Sequence, residues 1–129
     1  MQTNAAALES IAYQIRDALE MMQESTDHPL RTIHADGGAT QNRFLMQFTA
    51  DVTGREVRVA ENKDLSPLGA MQCGILGMGI RSSLKELSGL PQASVVYSPT
   101  MDESQVDAVL QGWRRAVKRV LTGEEGVTR

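Results

Sequence analysis

From Ala5 to Met22 the apolar positions Leu8, Ile11, Ala12, Ile15, Leu19 and Met22 recur at intervals of three and four residues, the signature of one helical face. An amphipathic helix is predicted there. Asp27-His28-Pro29 ends it, because proline has no amide hydrogen and disfavours helical backbone in the residue before it. Residues 30 to 35 form a short segment with Thr32 and Ile33, bounded by Pro29 and by Gly37-Gly38, and predict a buried strand. Beyond the glycines the period returns to that of a helix. Phe44, Leu45, Phe48 and Val52 share a face, and Gly54 stands where a left-handed C-cap belongs. Residues 56 to 60 then alternate Val57 and Val59 with charged neighbours, predicting a second short strand with one wetter face.

Ser66-Pro67 reads as an N-cap followed by proline at the first helical position, opening a helix that runs to about Ile80. That helix carries Gly69, Gly74, Gly77 and Gly79, each costing about 1 kcal/mol against alanine inside a helix. The expected compensation is close backbone contact with a neighbouring element. Residues 88 to 98 hold Gly89 and Pro91 and read as a loop, with a short extended piece at Val95 to Tyr97. In the final helix Thr100 and Glu103 match a capping box, and Val106, Val109, Leu110, Trp113, Val117, Val120 and Leu121 form its predicted buried stripe. Arg114, Arg115, Lys118 and Arg119 crowd its last turns, where cations favour the helix dipole. Residues 123 to 129 read as a frayed tail. No internal repeat or low-complexity tract divides the chain.

Helices alternating with strands predict an α/β architecture whose short strands run parallel and are flanked by helices. Two strands make a poor sheet, and such a sheet needs cover on both faces. The chain therefore reads as part of something larger. At 129 residues one core is expected, and 41% apolar with 22% charged residues excludes disorder throughout. The net charge of -3 gives no overall positive field, which argues against nucleic acid or an anionic membrane as partner. Aromatic residues make up 4%, so no platform for stacking single-stranded nucleic acid is present. The longest mostly apolar run, Leu68 to Ile80, falls short of the ~20 residues of a membrane span. One cysteine and no signal-like opening make a cytoplasmic setting the expectation.

The sharpest local feature is Asp36-Gly37-Gly38-Ala39-Thr40-Gln41-Asn42, where strand gives way to helix. Ligands of open α/β sheets bind there, outside the carboxyl ends of strands. Paired glycines let a ligand approach the main chain with no Cβ in the way, and free amides at the next helix start favour an anion such as phosphate. The competing reading is a tight turn, since neither GxGxxG nor GxxxxGK[ST] is present. Asp36 either orients this loop or merely turns it, and Asn42 either meets a ligand or caps the helix. His28 and His34 lack companions at metal-ligand spacing, Cys73 within an apolar helix reads as a buried inert thiol, and no metal site is predicted. The basic end of the last helix reads as a solvated face, with phosphate attraction the alternative. No nucleophile with its base can be placed, so no catalytic residue is assigned.

The run from Asp36 through Asn42 and on through Arg43-Phe44-Leu45-Met46-Gln47 resembles the C-terminal signature of the FGGY carbohydrate kinases, the glycerol-phosphorylating branch in particular. Leu68-Gly69-Ala70 is similar to that family's next helix, residues 7 to 14 to the helix before the signature, and residues 112 to 119 to the family's terminal helix. The resemblance implies a partial actin-like, ribonuclease-H-like ATPase domain occupying residues 1 to 129. It implies a parent reaction that moves the γ-phosphoryl of ATP, with Mg²⁺, to a sugar or polyol hydroxyl, glycerol leading. By position, Gly37, Gly38 and Ala39 would approach the phosphates and ribose of ATP or ADP, and Asn42 would lie near the nucleotide. Ser66-Pro67 and Met71-Gln72-Cys73 depart from the family's Thr-Ala and small-residue runs. The family's catalytic base, sugar pocket and first phosphate loop have no counterpart in these 129 residues, so this chain alone is expected to be inactive. The β-rich start of the family's second domain has none either, which by this resemblance would leave a sheet edge and apolar helix faces uncovered and invite self-association into a homo-oligomer. A noncatalytic α/β module for assembly or regulation is the alternative.

Overall fold

The computed structural model describes residues 2–61, 65–83, 85–86 and 93–122, with side chains from residue 4 onward and excluding those of 65–68. Helix α1 spans Gln2–Glu24, β1 Thr32–Ala35, a single 3-10 turn Gly38–Gln41, α2 Arg43–Thr53 and β2 Glu56–Ala60. Helix α3 (Leu65–Gly77), β3 (Ser94–Tyr97) and α4 (Glu103–Thr122) follow. The sheet order is β1-β2-β3. Strands β1 and β2 are parallel, with Ile33 opposite Val57 and Ala35 opposite Val59, as the intervening helix requires.

Strand β3 corrects the expectation of parallel strands. It pairs antiparallel to β2, Val57 opposite Tyr97 and Ala60 opposite Ser94. The chain re-enters the sheet at the end by which it left β2, and the Glu61 amide donates to the Ala93 carbonyl at 3.0 Å to start the pairing. Starting beside the end of β2, β3 runs back along it, so the direction reverses. Alternation in Glu56-Val57-Arg58-Val59 buries the valines on one face and leaves Arg58 on the other, paired with Glu56 at 2.6 Å.

Helix α2 is the centre of the core. Leu45, Met46, Phe48, Ala50 and Val52 are buried on it, against Val57 and Val59 of the sheet, Ala12 and Tyr13 of α1, and Leu110 of α4. Fully burying a valine such as Val52 or Val57 contributes about 1.5–3 kcal/mol. Tyr13, outside the predicted stripe of α1, stacks on Trp113 at 5.2 Å and meets Phe48 edge-on at 5.6 Å. Burial, and then the nearby Glu9, raise its phenol pKa. Because α1 packs on both α2 and α4, its buried face is turned away from Ile11 and Met22, which are exposed. Arg55 ties the far end of the fold, donating to the carbonyls of Leu30 and Thr53 and pairing with Glu20 at 3.4 Å.

Three further expectations are corrected. Helix α3 begins at Leu65, so Ser66 and Pro67 lie inside its backbone. Around Gly69, Gly74 and Gly77 nothing lies within 4 Å of where a Cβ would stand, so no close packing compensates for these glycines among the described residues. Cys73 is exposed, on a helix of which no described side chain is fully buried. Gly79 does have a local role. Its φ of 73° closes the helix, with the Ile80 amide on the Ile75 carbonyl at 3.1 Å and its own on Leu76 at 3.0 Å.

The cap of α4 lies two residues beyond the predicted one. Asp102 accepts from the Gln105 amide at 2.9 Å while Gln105 Oε1 accepts from the Asp102 amide at 3.3 Å, a reciprocal capping box. Hydrogen bonds from the Ser104 hydroxyl and the Gln105 amide lower the Asp102 pKa. Thr100 is held instead by buried Asp51 of α2, whose Oδ1 accepts from the Thr100 amide at 2.7 Å, the Met101 amide at 3.3 Å and Gln47 at 3.0 Å. The expected loop start at residues 88 to 92 and the tail 123–129 lie outside the described residues.

Candidate functional site

The glycine turn sits at the carboxyl end of β1, beside the carboxyl end of its parallel neighbour β2. Gly37 takes φ 91° and ψ 179°, a conformation that a side chain would strain and that lets the chain leave the strand sharply. The 3-10 turn then closes on Gly37, whose carbonyl accepts from the Thr40 amide at 3.1 Å and the Thr40 hydroxyl at 2.7 Å. The Asn42 amide follows onto the Ala39 carbonyl at 3.1 Å. These bonds fix the turn from inside.

Its outer side is open. Asp36, Gly37, Gly38 and Ala39 are exposed, and nothing lies within 4 Å of a Cβ built on Gly37 or Gly38. Among the described residues the amides of Gly38 and Ala39 donate to no protein acceptor. Two free, neighbouring N–H groups on a fixed turn, leading into the first turn of α2, make a weakly electropositive surface that suits an anion.

Asn42 shows the cap that the sequence offered as one alternative. Its backbone is extended, at φ -82° and ψ 99°, and its Oδ1 accepts from the Leu45 amide at 3.1 Å. Asn42 thus sets the angle between the turn and α2. Gly37, Gly38, Ala39 and Asn42 lie together on one loop. His28 and His34 are exposed, His34 on β1 just ahead of the turn. Among the described residues no three His, Cys, Asp or Glu converge as metal ligands, and no helix is long and apolar enough to cross a membrane. Arg114, Arg115, Lys118 and Arg119 are exposed on α4. The sequence reading passed over Asp51, which anchors the start of α4. A carboxylate in the middle of an apolar helical run was its visible signal.

A strand, a fixed glycine turn and a buried helix, with an open anion-friendly rim, define the class. Residues 3–78 match the C-terminal domain of the FGGY family of carbohydrate kinases, and the chain belongs to that family. It is 43% identical over 119 residues to a glycerol kinase of Alkaliphilus metalliredigens, covering 92% of this chain and 24% of that protein. A glycerol kinase of Pseudomonas fluorescens is 41% identical over 114 residues, covering 88% of this chain and 23% of its own. The fold superposes on Plasmodium falciparum glycerol kinase with ADP at a TM-score of 0.77 and 29% identity, over 89% of this chain and 23% of that one. A xylulose kinase from Lactobacillus acidophilus shares the fold at a TM-score of 0.70 and 22% identity. The chain spans about a quarter of the length of the relatives it matches.

Proposed function

We propose that this chain forms the nucleotide-side wall of an ATP-dependent carbohydrate kinase, with glycerol the favoured acceptor. The observation that carries the reading is the open rim at Gly37, Gly38 and Ala39, where two unpartnered amides and the missing Cβ atoms leave room for a phosphate or ribose to reach the main chain. Likeness to glycerol kinases on both sequence and fold supports the acceptor. Asn42 serves the nucleotide indirectly, by holding the turn on α2.

ATP supplies the γ-phosphoryl group, which passes to a hydroxyl oxygen of the acceptor, and Mg²⁺ accompanies the phosphates. The described residues offer no cluster of three His, Cys, Asp or Glu for that ion; when bound it would supply charge neutralisation at the phosphates. Phosphoryl transfer depends on positioning and electrostatics across a closed cleft, so the 129-residue polypeptide alone is inactive and activity requires the second wall. The setting is cytoplasmic, where ATP is plentiful.

The test is a chimera in which this chain replaces the matching quarter of the Alkaliphilus metalliredigens enzyme. ATP-dependent phosphorylation of glycerol is the expected result. A chimera that melts cooperatively yet neither binds ADP nor phosphorylates glycerol would contradict the proposal and favour the noncatalytic module.

A further inference from the structure

The glycine turn contains one peptide unit that no side chain on either flank stiffens. The unit between Gly37 and Gly38 rotates about the ψ of one glycine and the φ of the next, and with no Cβ on either residue the steric barriers that hold other units in place are low. Such a unit turns over readily unless a hydrogen bond holds it. It is a trans peptide, so its carbonyl and its amide hydrogen point to opposite sides. The direction of the Gly37 carbonyl therefore sets the direction of the Gly38 amide.

One residue holds that carbonyl, and it does so twice. The Thr40 amide donates to it at 3.1 Å and the Thr40 hydroxyl at 2.7 Å, occupying both acceptor positions. Thr40 is half-buried, whereas Asp36 through Ala39 are exposed. The hydroxyls of Thr49, Thr53 and Thr122 also donate to carbonyls, but inside regular helices whose backbone already sets the carbonyl direction. Gly37 stands ahead of a single 3-10 turn, where the Thr40 amide is the only other restraint on its carbonyl among the described residues.

The opposite end of the peptide is left spare. The Gly38 amide donates to no protein acceptor among the described residues, and nothing lies within 4 Å of a Cβ built on Gly38. A donor fixed in direction but without an acceptor does nothing for the fold, and it suits a ligand oxygen that arrives from outside.

We infer that Thr40 is a positioning residue for the nucleotide, its hydroxyl holding the Gly37 carbonyl inward so that the Gly38 amide on the same peptide faces a phosphate or ribose oxygen. Thr40 itself does not touch the nucleotide. The inference rests on the reading of this turn as the nucleotide rim and adds what keeps the rim ready. Without the hydroxyl the unit samples both directions, and affinity falls with the fraction that faces outward.

Two substitutions separate the hydroxyl from the shape of the residue. Thr40→Val keeps the branched shape and the amide bond without the hydroxyl, and Thr40→Ser keeps the hydroxyl. Both are made in the chimeric glycerol kinase, with Gly38→Val as the control for the rim itself. Thr40→Val is expected to raise the ADP dissociation constant about threefold to tenfold, the range that one hydrogen bond commands, and to raise KM for ATP with it. KM for glycerol and the melting temperature are expected to change little, and Thr40→Ser to bind ADP as the parent chimera does. A merely structural role would lower the melting temperature and would not single out ATP over glycerol. Thr40→Val binding ADP like the parent, while Gly38→Val binds it more weakly, overturns the role of Thr40 and leaves the nucleotide reading standing. Thr40→Ser binding as weakly as Thr40→Val overturns it too. Equal affinity in all four proteins overturns both.

Discussion

Helices α2 and α3 follow β1 and β2 from the same end of a parallel pair, and both are rich in apolar residues, yet they end in opposite environments. Eight residues of α2 are buried, including Thr49, Asp51 and Thr53. None of the described side chains of α3 is. The difference lies in what each helix offers its neighbours. Helix α2 presents large side chains to the sheet, to α1 and to α4, and disposes of its polar groups internally: the Thr49 and Thr53 hydroxyls donate to the carbonyls of Leu45 and Thr49, at 2.7 and 2.6 Å. Helix α3 is apolar all round with glycine spaced through it, so it has no single face for an element to grip. Apolar content by itself does not decide burial; a partner of matching shape does.

The strongest way to break this comparison is truncation on either side of it. Leu45→Ala is expected to cost about 2–5 kcal/mol in urea unfolding, whereas Met71→Ala on α3 should stay within about 0.5 kcal/mol. Comparable losses at both sites would mean that α3 is packed as tightly as α2. Next comes Asp51→Ala, which strands the Thr100 and Met101 amides at the entry to α4; a loss of about 1–3 kcal/mol is expected, with hydrogen exchange rising first at those two amides. Asn42→Ala removes the cap of α2 and should lower stability by about 1 kcal/mol, read from the thermal midpoint. Gly74→Ala is expected to act in the other direction, stabilising by about 0.5–1 kcal/mol because its Cβ enters open space and the unfolded chain loses freedom. A destabilised Gly74→Ala would reveal a close neighbour of α3.

A smaller effect concerns pH. Asp102 has a lowered pKa in the folded chain because Ser104 and the Gln105 amide donate to its carboxylate. Its contribution is therefore fully present above the ordinary aspartate range and is lost as pH falls through the lowered value. Asp102→Asn, which keeps a cap acceptor but not the charge, should flatten that acid limb of the stability curve without moving the neutral plateau much.

Much of this fold was legible because period and punctuation agreed. The two-residue alternation of Glu56-Val57-Arg58-Val59 foretold both β2 and its wet face, and Gly54 foretold the left-handed end of α2, at φ 63°. What escaped was set by contacts far apart in sequence. Tyr13 joins the core because Trp113 and Phe48 meet there, and Thr100 loses the cap role because Asp51 takes its amide. The direction of β3 depends on where the chain re-enters the sheet, which no local pattern encodes. At the candidate site the paired glycines marked the turn, and Asn42 carried two meanings that the sequence left open. Geometry assigned it the cap.

Gly38 offers the most direct test of the nucleotide reading, because its backbone is not left-handed and a side chain there meets nothing of the fold. Gly37, at φ 91°, would confound binding with strain. The measurement is the ADP dissociation constant of the chimeric kinase with and without Gly38→Val, alongside its melting temperature. A rise of tenfold or more, about 1.4 kcal/mol, at an unchanged melting temperature is the predicted result. Equal affinity in the two proteins would contradict the claim that this turn meets the nucleotide.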